Sequence, residues 1–404
     1  MQGISKPHVK SKNQSRTTVE SNLLVIAHHY NNFTKGQVDA LAERFDNVTV
    51  TVRYNRLTDL NWIVDDRIVK KYGRDSKIDE DRPENVEVVP VPLTYAPLSP
   101  WYRLLGRHHY YGLKRQLNGH LHNYDLVHAH FSWTSGYVAA RIQKEYDIPS
   151  VVTVHENEGR LSREMSSGNS DLYQAWSSAN AIIRVNEKDC QQLSRFNDAV
   201  YSIPNGFDRD RLPTIETNVA RSNLGIDQDT NLIFSLGYLI PRKRFDLLIQ
   251  AVSQINIDGK LMLVIGGQGE EYETLNRLAN KHSSNTVDIK IPGYLSEEDL
   301  VQWMNACDIF ALASEAEGNP TVMFEALGCG KPYIGTNSGG VDEIITSEKH
   351  GLYCQINDRY ALKEILEQGL SRDWNREEIL KYADRFAWNN IADEIYSVYE
   401  EVWS

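Results

Sequence analysis

EAEGNPTVMFEALGCGKP, from Glu315 to Pro332, is the stretch whose reading decides the fold. Glu317 and Glu325 stand eight positions apart, with Gly318-Asn319-Pro320 between them. Gly-Asn is turn chemistry, and a proline suits the first helical position, where no backbone N–H is needed. The spacing predicts a loop that delivers one carboxylate, then a helix start, then a second carboxylate about one turn later. The N–H groups of Thr321, Val322 and Met323 would lack helical partners and carry the positive end of the helix dipole. Such an end binds phosphate. The implied ligand carries phosphate and has hydroxyls for carboxylates to hold.

Outward from this stretch, short apolar runs alternate with helical patterns. Strands are expected at 22–30, 47–54, 86–92, 124–131, 149–155, 181–186 and 200–205, and again at 231–237, 260–267, 287–293, 309–314 and 332–336. Strand–helix alternation implies parallel sheets covered on both faces. The pattern divides into two Rossmann-like halves, with the join expected within Asp210–Arg221. The closing segment, Phe386 to Trp403, is an amphipathic helix pattern. Ligands of open α/β sheets sit beyond the carboxyl ends of the strands, so a cleft between two facing sheets is the expected site.

Composition agrees. A chain of 404 residues is too long for one ordinary core. A 41% hydrophobic and 24% charged make-up is that of a globular protein in water. A net charge of −12, with no RNP, zinc-finger or basic-helix pattern, argues against nucleic acid as a partner. Cys190, Cys307, Cys329 and Cys354 are widely spaced, as reduced thiols of a cytoplasmic protein would be. No apolar run is long enough to span a bilayer, and the start lacks the apolar stretch of a signal peptide. Residues 1–20 are polar and basic, and are expected to be a disordered tail.

The Glu315–Pro332 run resembles the E-x7-E motif of the retaining glycosyltransferases of family 4, which have the GT-B fold. Two glutamates eight apart are common, so the surroundings carry the resemblance. Gly237–Val252 (GYLIPRKRFDLLIQAV), Leu263–Glu271, Ile291–Ser314, Gly339–Ile345 and His350–Cys354 follow the family's order. Ile203–Asp208 (IPNGFD) and Thr153–Gly159 (TVHENEG) match in the first half. The resemblance implies an N-terminal acceptor domain over 21–210 and a C-terminal donor domain for an NDP-sugar over 211–385. It also implies that the last helix, 386–404, packs back on the first domain.

The resemblance also implies roles. His155 resembles the cleft histidine near the transferred sugar, and Glu317 the glutamate beside that sugar. Glu325 would hold the ribose hydroxyls. Arg242 and Lys243 would grip the diphosphate, although Tyr238 stands where many members have arginine. Asn319, Thr321 and Val322 are expected at the donor, with the N–H groups on its phosphates. Gly293, Tyr294 and Leu295 resemble the loop near the base. Gly36 resembles, with only one glycine, the glycine-rich element before the first helix. Each has an ordinary alternative: a basic turn for Arg242-Lys243, a satisfied strand-end histidine for His155, and surface acids for the glutamates.

Asp208-Arg209-Asp210 and Asp227-Gln228-Asp229 spell D-x-D but read as turn acids, so no metal site is expected. GGQGEE lacks the third glycine of a dinucleotide fingerprint and reads as a tight turn. The Trp101–Arg115 region is aromatic and basic: an interfacial helix on anionic lipid, an acceptor surface, or an ordinary core helix. The expectation is a metal-independent retaining hexosyltransferase without cofactor, at or near the inner membrane face. Its donor is an NDP-sugar, with UDP favoured over GDP, and its acceptor a glycan or lipid-linked glycan. The alternatives are an NDP-sugar epimerase of the same fold and a non-catalytic sugar-nucleotide-binding module.

Overall fold

The computed structural model describes residues 21–59, 73–95 and 99–404. The expected tail, 1–20, and the side chains of Trp101 and Arg103 lie outside the described residues.

Two sheets form. The first comprises β1 (Asn22–Ala27), β2 (Asn47–Asn55), β3 (Val86–Leu93), β4 (Leu126–His130), β5 (Ser150–Val154), β6 (Ala181–Arg184) and β7 (Val200–Ser202). Their order is β3-β2-β1-β4-β5-β6-β7. The second comprises β8 (Asn231–Leu236), β9 (Leu261–Gly266), β10 (Val287–Gly293), β11 (Ile309–Leu312), β12 (Tyr333–Thr336) and β13 (Gly351–Cys354), in the order β10-β9-β8-β11-β12-β13. Every pairing is parallel. Strand order reverses direction between β1 and β4, and between β8 and β11, and these switch points open ligand crevices.

The apolar runs form strands because both faces are covered. Leu23, Val25 and Ala27 enter one apolar cluster, and Leu24 and Ile26 another. That period of two, apolar on both sides, is the mark of a buried parallel strand. All of the expected strands are present, and β13 is an addition.

The chain crosses between the sheets twice, and the crossings lie side by side. Phe207 N–H donates to Phe386 O at 3.0 Å, and Trp388 N–H donates to Phe207 O at 3.1 Å. Arg209 pairs with Asp384. The closing helix, Trp388–Trp403, then lies on the first sheet's side. Arg44 pairs with Asp393, and Tyr399 Oη lies 2.6 Å from His128 Nδ1. Tyr201 O–H donates to Glu401 at 2.6 Å. Ile391, Ile395 and Tyr399 join the cluster that holds Leu23 and Val25.

Gly36 is not ahead of a helix. It lies inside the helix Asn32–Ala42, where a Cβ would meet Trp388 Nε1 at 2.2 Å. Its missing side chain makes room for the buried Trp388 ring, so the structure gives it a packing role in place of the expected approach to substrate.

Candidate active site

The loop after β8 carries Arg242 and Lys243 on a short turn, Pro241–Lys243, ahead of the helix Phe245–Val252. Gly237 leaves space for the Lys243 stem, since a Cβ there would lie 3.3 Å from Lys243 Cε. The loop after β11 brings Glu317 to both cations. Arg242 Nη1 lies 2.7 Å from Glu317 Oε2, and Lys243 Nζ 2.7 Å from Oε1. Lys243 and Glu317 are buried. Burial alone would raise the Glu317 carboxyl, but Lys243 and Arg242 outweigh it and hold the group below its ordinary range. The carboxylate expected at the sugar and the cations expected at the diphosphate are therefore one another's counterions.

The helix after the turn runs Thr321–Gly328, with Pro320 as its N-cap, one place earlier than expected. The Met323 N–H is taken by Pro320 O at 3.0 Å. Thr321 and Val322 N–H have no hydrogen-bond partner among the described residues, and both residues are half-buried. The dipole end thus presents two free donors instead of three.

Glu325 sits on this helix and is buried. Its Oε1 is 2.7 Å from Arg211 Nη1, and Arg211 also grips Glu297 at 2.8 and 3.0 Å. Burial raises the Glu325 carboxyl against the opposing pull of Arg211. Sequence reading missed Arg211, which it left in the inter-domain join. The only signal was a basic residue just beyond the IPNGFD segment.

Asn319 departs from expectation. Its Oδ1 accepts from Asn205 N at 2.9 Å, its carbonyl accepts from Asn205 Nδ2 at 3.0 Å, and its Nδ2 donates to Gly339 O at 3.3 Å. The amide ties the Glu317 loop to the IPNGFD segment, so both of its ends are engaged within the protein. Gly318 is also confined, because a Cβ would meet His155 O at 2.5 Å. Asn186 Nδ2 donates to Gly318 O at 2.8 Å, and Glu343 accepts from Glu187 and Lys188 N–H at 2.7 and 3.0 Å. The two sheets' loops therefore meet directly at His155 and Gly318.

His155 follows β5. Its Nε2 lies 3.0 Å from His130 Nδ1, and the rings stack with centroids 5.2 Å apart. Phe131 and Phe33 flank it at 5.1 and 4.8 Å. Burial first, then nearby His128, Arg184 and His29, hold its pKa well below the ordinary value, so the ring is neutral. Its Nδ1 is buried and has no hydrogen-bond partner among the described residues. His130 was not picked out from sequence, although HAH places His128 and His130 on one face of β4.

At the end of β10, Gly293 has φ +85°, a conformation glycine adopts readily, and Tyr294 beyond it stands out at 70% exposed. Leu295 packs over Gly266, and Gly293 O accepts from Gly267 N at 2.7 Å. Asp208 accepts from the N–H groups of Asp210 and Arg211, and Asp227 pairs with Lys260 at 2.9 Å. Both D-x-D acids do turn and surface work.

The helix Ser99–Gln116 is core on one face and open on the other. Leu105, Tyr110 and Leu113 are buried, whereas Leu104, Arg107, Tyr111 and Arg115 share the exposed face. No helix among the described residues is long and apolar enough to cross a membrane.

With this geometry in place, comparison with known proteins is direct. The family described as Glycosyl transferases group 1 matches residues 216–386, and the one described as Glycosyltransferase Family 4 matches residues 67–211. An uncharacterized glycosyltransferase of Methanocaldococcus jannaschii is 26% identical over 282 residues, which are 69% of this chain and 76% of that protein. Sucrose-phosphate synthase from Thermosynechococcus elongatus superposes with a TM-score of 0.76 at 20% identity, covering 95% of this chain and 99% of that one. Anabaena HepE in complex with UDP and glucose does so with a TM-score of 0.67 at 18% identity, covering 94% and 100%. These structures share the two-sheet fold, and the two family matches meet at the inter-domain join. The chain belongs to the family 4 type of glycosyltransferases with the GT-B fold.

Proposed function

We propose that this glycosyltransferase moves a hexosyl unit, with retention and without a metal, from a nucleotide-diphosphate sugar to a hydroxyl of a glycan or lipid-linked glycan. UDP is favoured as the nucleotide, in keeping with the UDP bound by the structurally similar HepE. The observation that carries the reading is the Arg242–Glu317–Lys243 cluster, whose carboxylate stands four positions ahead of the helix start at Thr321. A diphosphate arriving there supplies a new counterion to both cations. Glu317 is then released to accept hydrogen bonds from the sugar. The charge that grows on the leaving diphosphate meets two cations and two backbone donors already in position, where electrostatic stabilisation is most effective. The Glu325 carboxylate takes the ribose hydroxyls, oriented by Arg211. Tyr294 and its main chain lie at the base.

The neutral His155 ring offers Nδ1 to a sugar hydroxyl. Same-face attack, with a phosphate oxygen of the leaving group taking the acceptor's proton, gives retention without a covalent glutamate. In this reading Glu317, buried between two cations, acts as a binding group, and no glycosyl-enzyme forms on it. Arg242, Lys243 and the helix end do the work a metal would do. The exposed face of Ser99–Gln116, with Leu104, Tyr111, Arg107 and Arg115, supports peripheral contact with an anionic membrane. Co-sedimentation with vesicles containing anionic lipid, lost in Arg107→Glu/Arg115→Glu, tests that contact.

The decisive experiment is thermal stability against UDP, GDP, ADP and CMP, each with and without EDTA. A ligand that binds only the folded state raises the midpoint. A UDP shift that survives EDTA supports the reading. A shift abolished by EDTA overturns its metal-free part, and no shift with any nucleotide overturns the donor site. Conversion of the donor alone to a second sugar nucleotide would instead mark an epimerase.

A further inference from the structure

The transfer chemistry leaves one charged group of the first domain unused. β1 runs out into His28 and His29, β2 carries Arg53 near its carboxyl end, and Lys77 comes from the segment that bridges back to Tyr30 through Ile78. Arg53 is buried at 7% exposed, its Nη2 is 3.2 Å from His28 Nε2, and its Nε has no hydrogen-bond partner. Lys77 Nζ donates to the Arg53 carbonyl at 2.9 Å. Among the described residues neither cation has a carboxylate at ion-pair distance. Arg160 nearby shows the contrast, with Glu164 at 3.1 Å.

A buried guanidinium and a half-buried ammonium that share no counterion are costly, and a fold that keeps them has a charge to match them with. Neutral hydroxyls do not compensate this charge and a cation worsens it, so the matching ligand is an oxyanion. The guanidinium fork suits phosphate or carboxylate in a bidentate grip. Position supplies the rest. The His28 ring stacks on Phe131 with centroids 4.7 Å apart, and Phe131 lies 5.1 Å from the His155 ring. The group thus stands at the strand ends beside the β1–β4 switch point, on the first sheet's side of the cleft. We propose that Arg53 and Lys77 form an anion subsite that takes a phosphate or carboxylate group of the acceptor and holds its hydroxyl toward His155. In calling that ligand the acceptor we rely on the transferase reading of the cleft. Burial and the neighbouring Arg53 pull the Lys77 ammonium down to about 7, as expected of a cation waiting for its counterion.

The test titrates inorganic phosphate and, separately, glucuronate into the ligand-free full-length protein by calorimetry, with thermal shift in parallel. Wild type is compared with Lys77→Met, Arg53→Met and Lys243→Met, and UDP is titrated into each as a control. Lys77→Met keeps the apolar stem and removes an unmatched charge, so its ligand-free midpoint is expected at or above wild type. It decides the matter alone if Arg53→Met does not fold. At least one of the two anions is expected to bind wild type, about tenfold or more weakly in Lys77→Met and Arg53→Met, and unchanged in Lys243→Met. The tighter of the two names the acceptor's charged group. Anion binding that survives Lys77→Met, or that disappears only in Lys243→Met, overturns the subsite, as does no binding of either anion. UDP binding separates the two readings: intact UDP binding with a failed anion arm sinks the subsite alone, whereas a wild type that binds no nucleotide sinks the donor site.

Discussion

Acid should unfold the first domain well before it protonates ordinary carboxylates. His28, His29, His109, His128, His130 and His155 all have pKa values below the ordinary histidine value, with burial the largest cause in each. His29 is held down at about 4 and His128 at about 3. In the unfolded chain each titrates near about 6.5. Below that pH the unfolded state binds more protons than the folded one, so stability falls as pH falls. Each group costs roughly 1.4 kcal/mol per pH unit once the unfolded histidine is charged. Between about pH 7.5 and about pH 5.5, six such groups remove about 8 kcal/mol. Glu164 works in the opposite direction. Its carboxyl is pushed up to about 8 by burial and by Glu156, and its protonation returns about 2 kcal/mol over the same interval. The net loss rivals a typical total stability of roughly 5–15 kcal/mol. Urea denaturation across this range, with imidazole proton shifts followed by NMR, measures it. Stability flat to within about 1 kcal/mol, or these six imidazoles titrating near about 6.5 in the folded protein, would refute the reasoning.

Glu317→Gln removes the shared counterion of Arg242 and Lys243. With Arg242 partly solvated, the loss is expected to be about 2 kcal/mol, seen as a lower ligand-free midpoint. UDP should then bind more tightly than in wild type while transfer is severely impaired, and mass spectrometry should find no glycosyl-enzyme; an unchanged midpoint or a trapped adduct contradicts this. Lys243→Ala should weaken UDP binding about tenfold or more by calorimetry, and wild-type affinity would remove Lys243 from the site. Gly36→Ala drives a methyl into the Trp388 ring and should cost about 1–3 kcal/mol in chemical denaturation, partly restored by Trp388→Phe; equal stability of the single variant would contradict the packing account.

The fold was legible because parallel strands buried on both faces write themselves as apolar runs. β13 escaped: it is four residues long, it lies at the sheet edge, and Tyr353 within it is 40% exposed. At the site, sequence gave residue types in order but not who holds whom. Glu317 was singled out as a sugar ligand, whereas its partners in the structure are the very cations meant for phosphate. Arg211 reaches Glu325 across 114 positions, a pairing no local pattern encodes. Gly36 was misread, and the partners of Asn319 were missed, for the same reason. Trp388 sets the need for a glycine from more than three hundred residues away, and Asn205 meets Asn319 across 114 positions. The buried neutrality of the histidines likewise follows from packing, which composition does not reveal.

The closing helix has a consequence for biosynthesis. Its 16 residues pack against Phe45 and His128, yet they leave the ribosome after every strand of both sheets. The sheet made first therefore waits, incomplete, while the sheet made second emerges with all its strands and can close at once. Vectorial synthesis thus reverses the order in which the two halves mature. A chain stalled after Arg385 should hold a protease-resistant second half and a first half that is still open to cleavage.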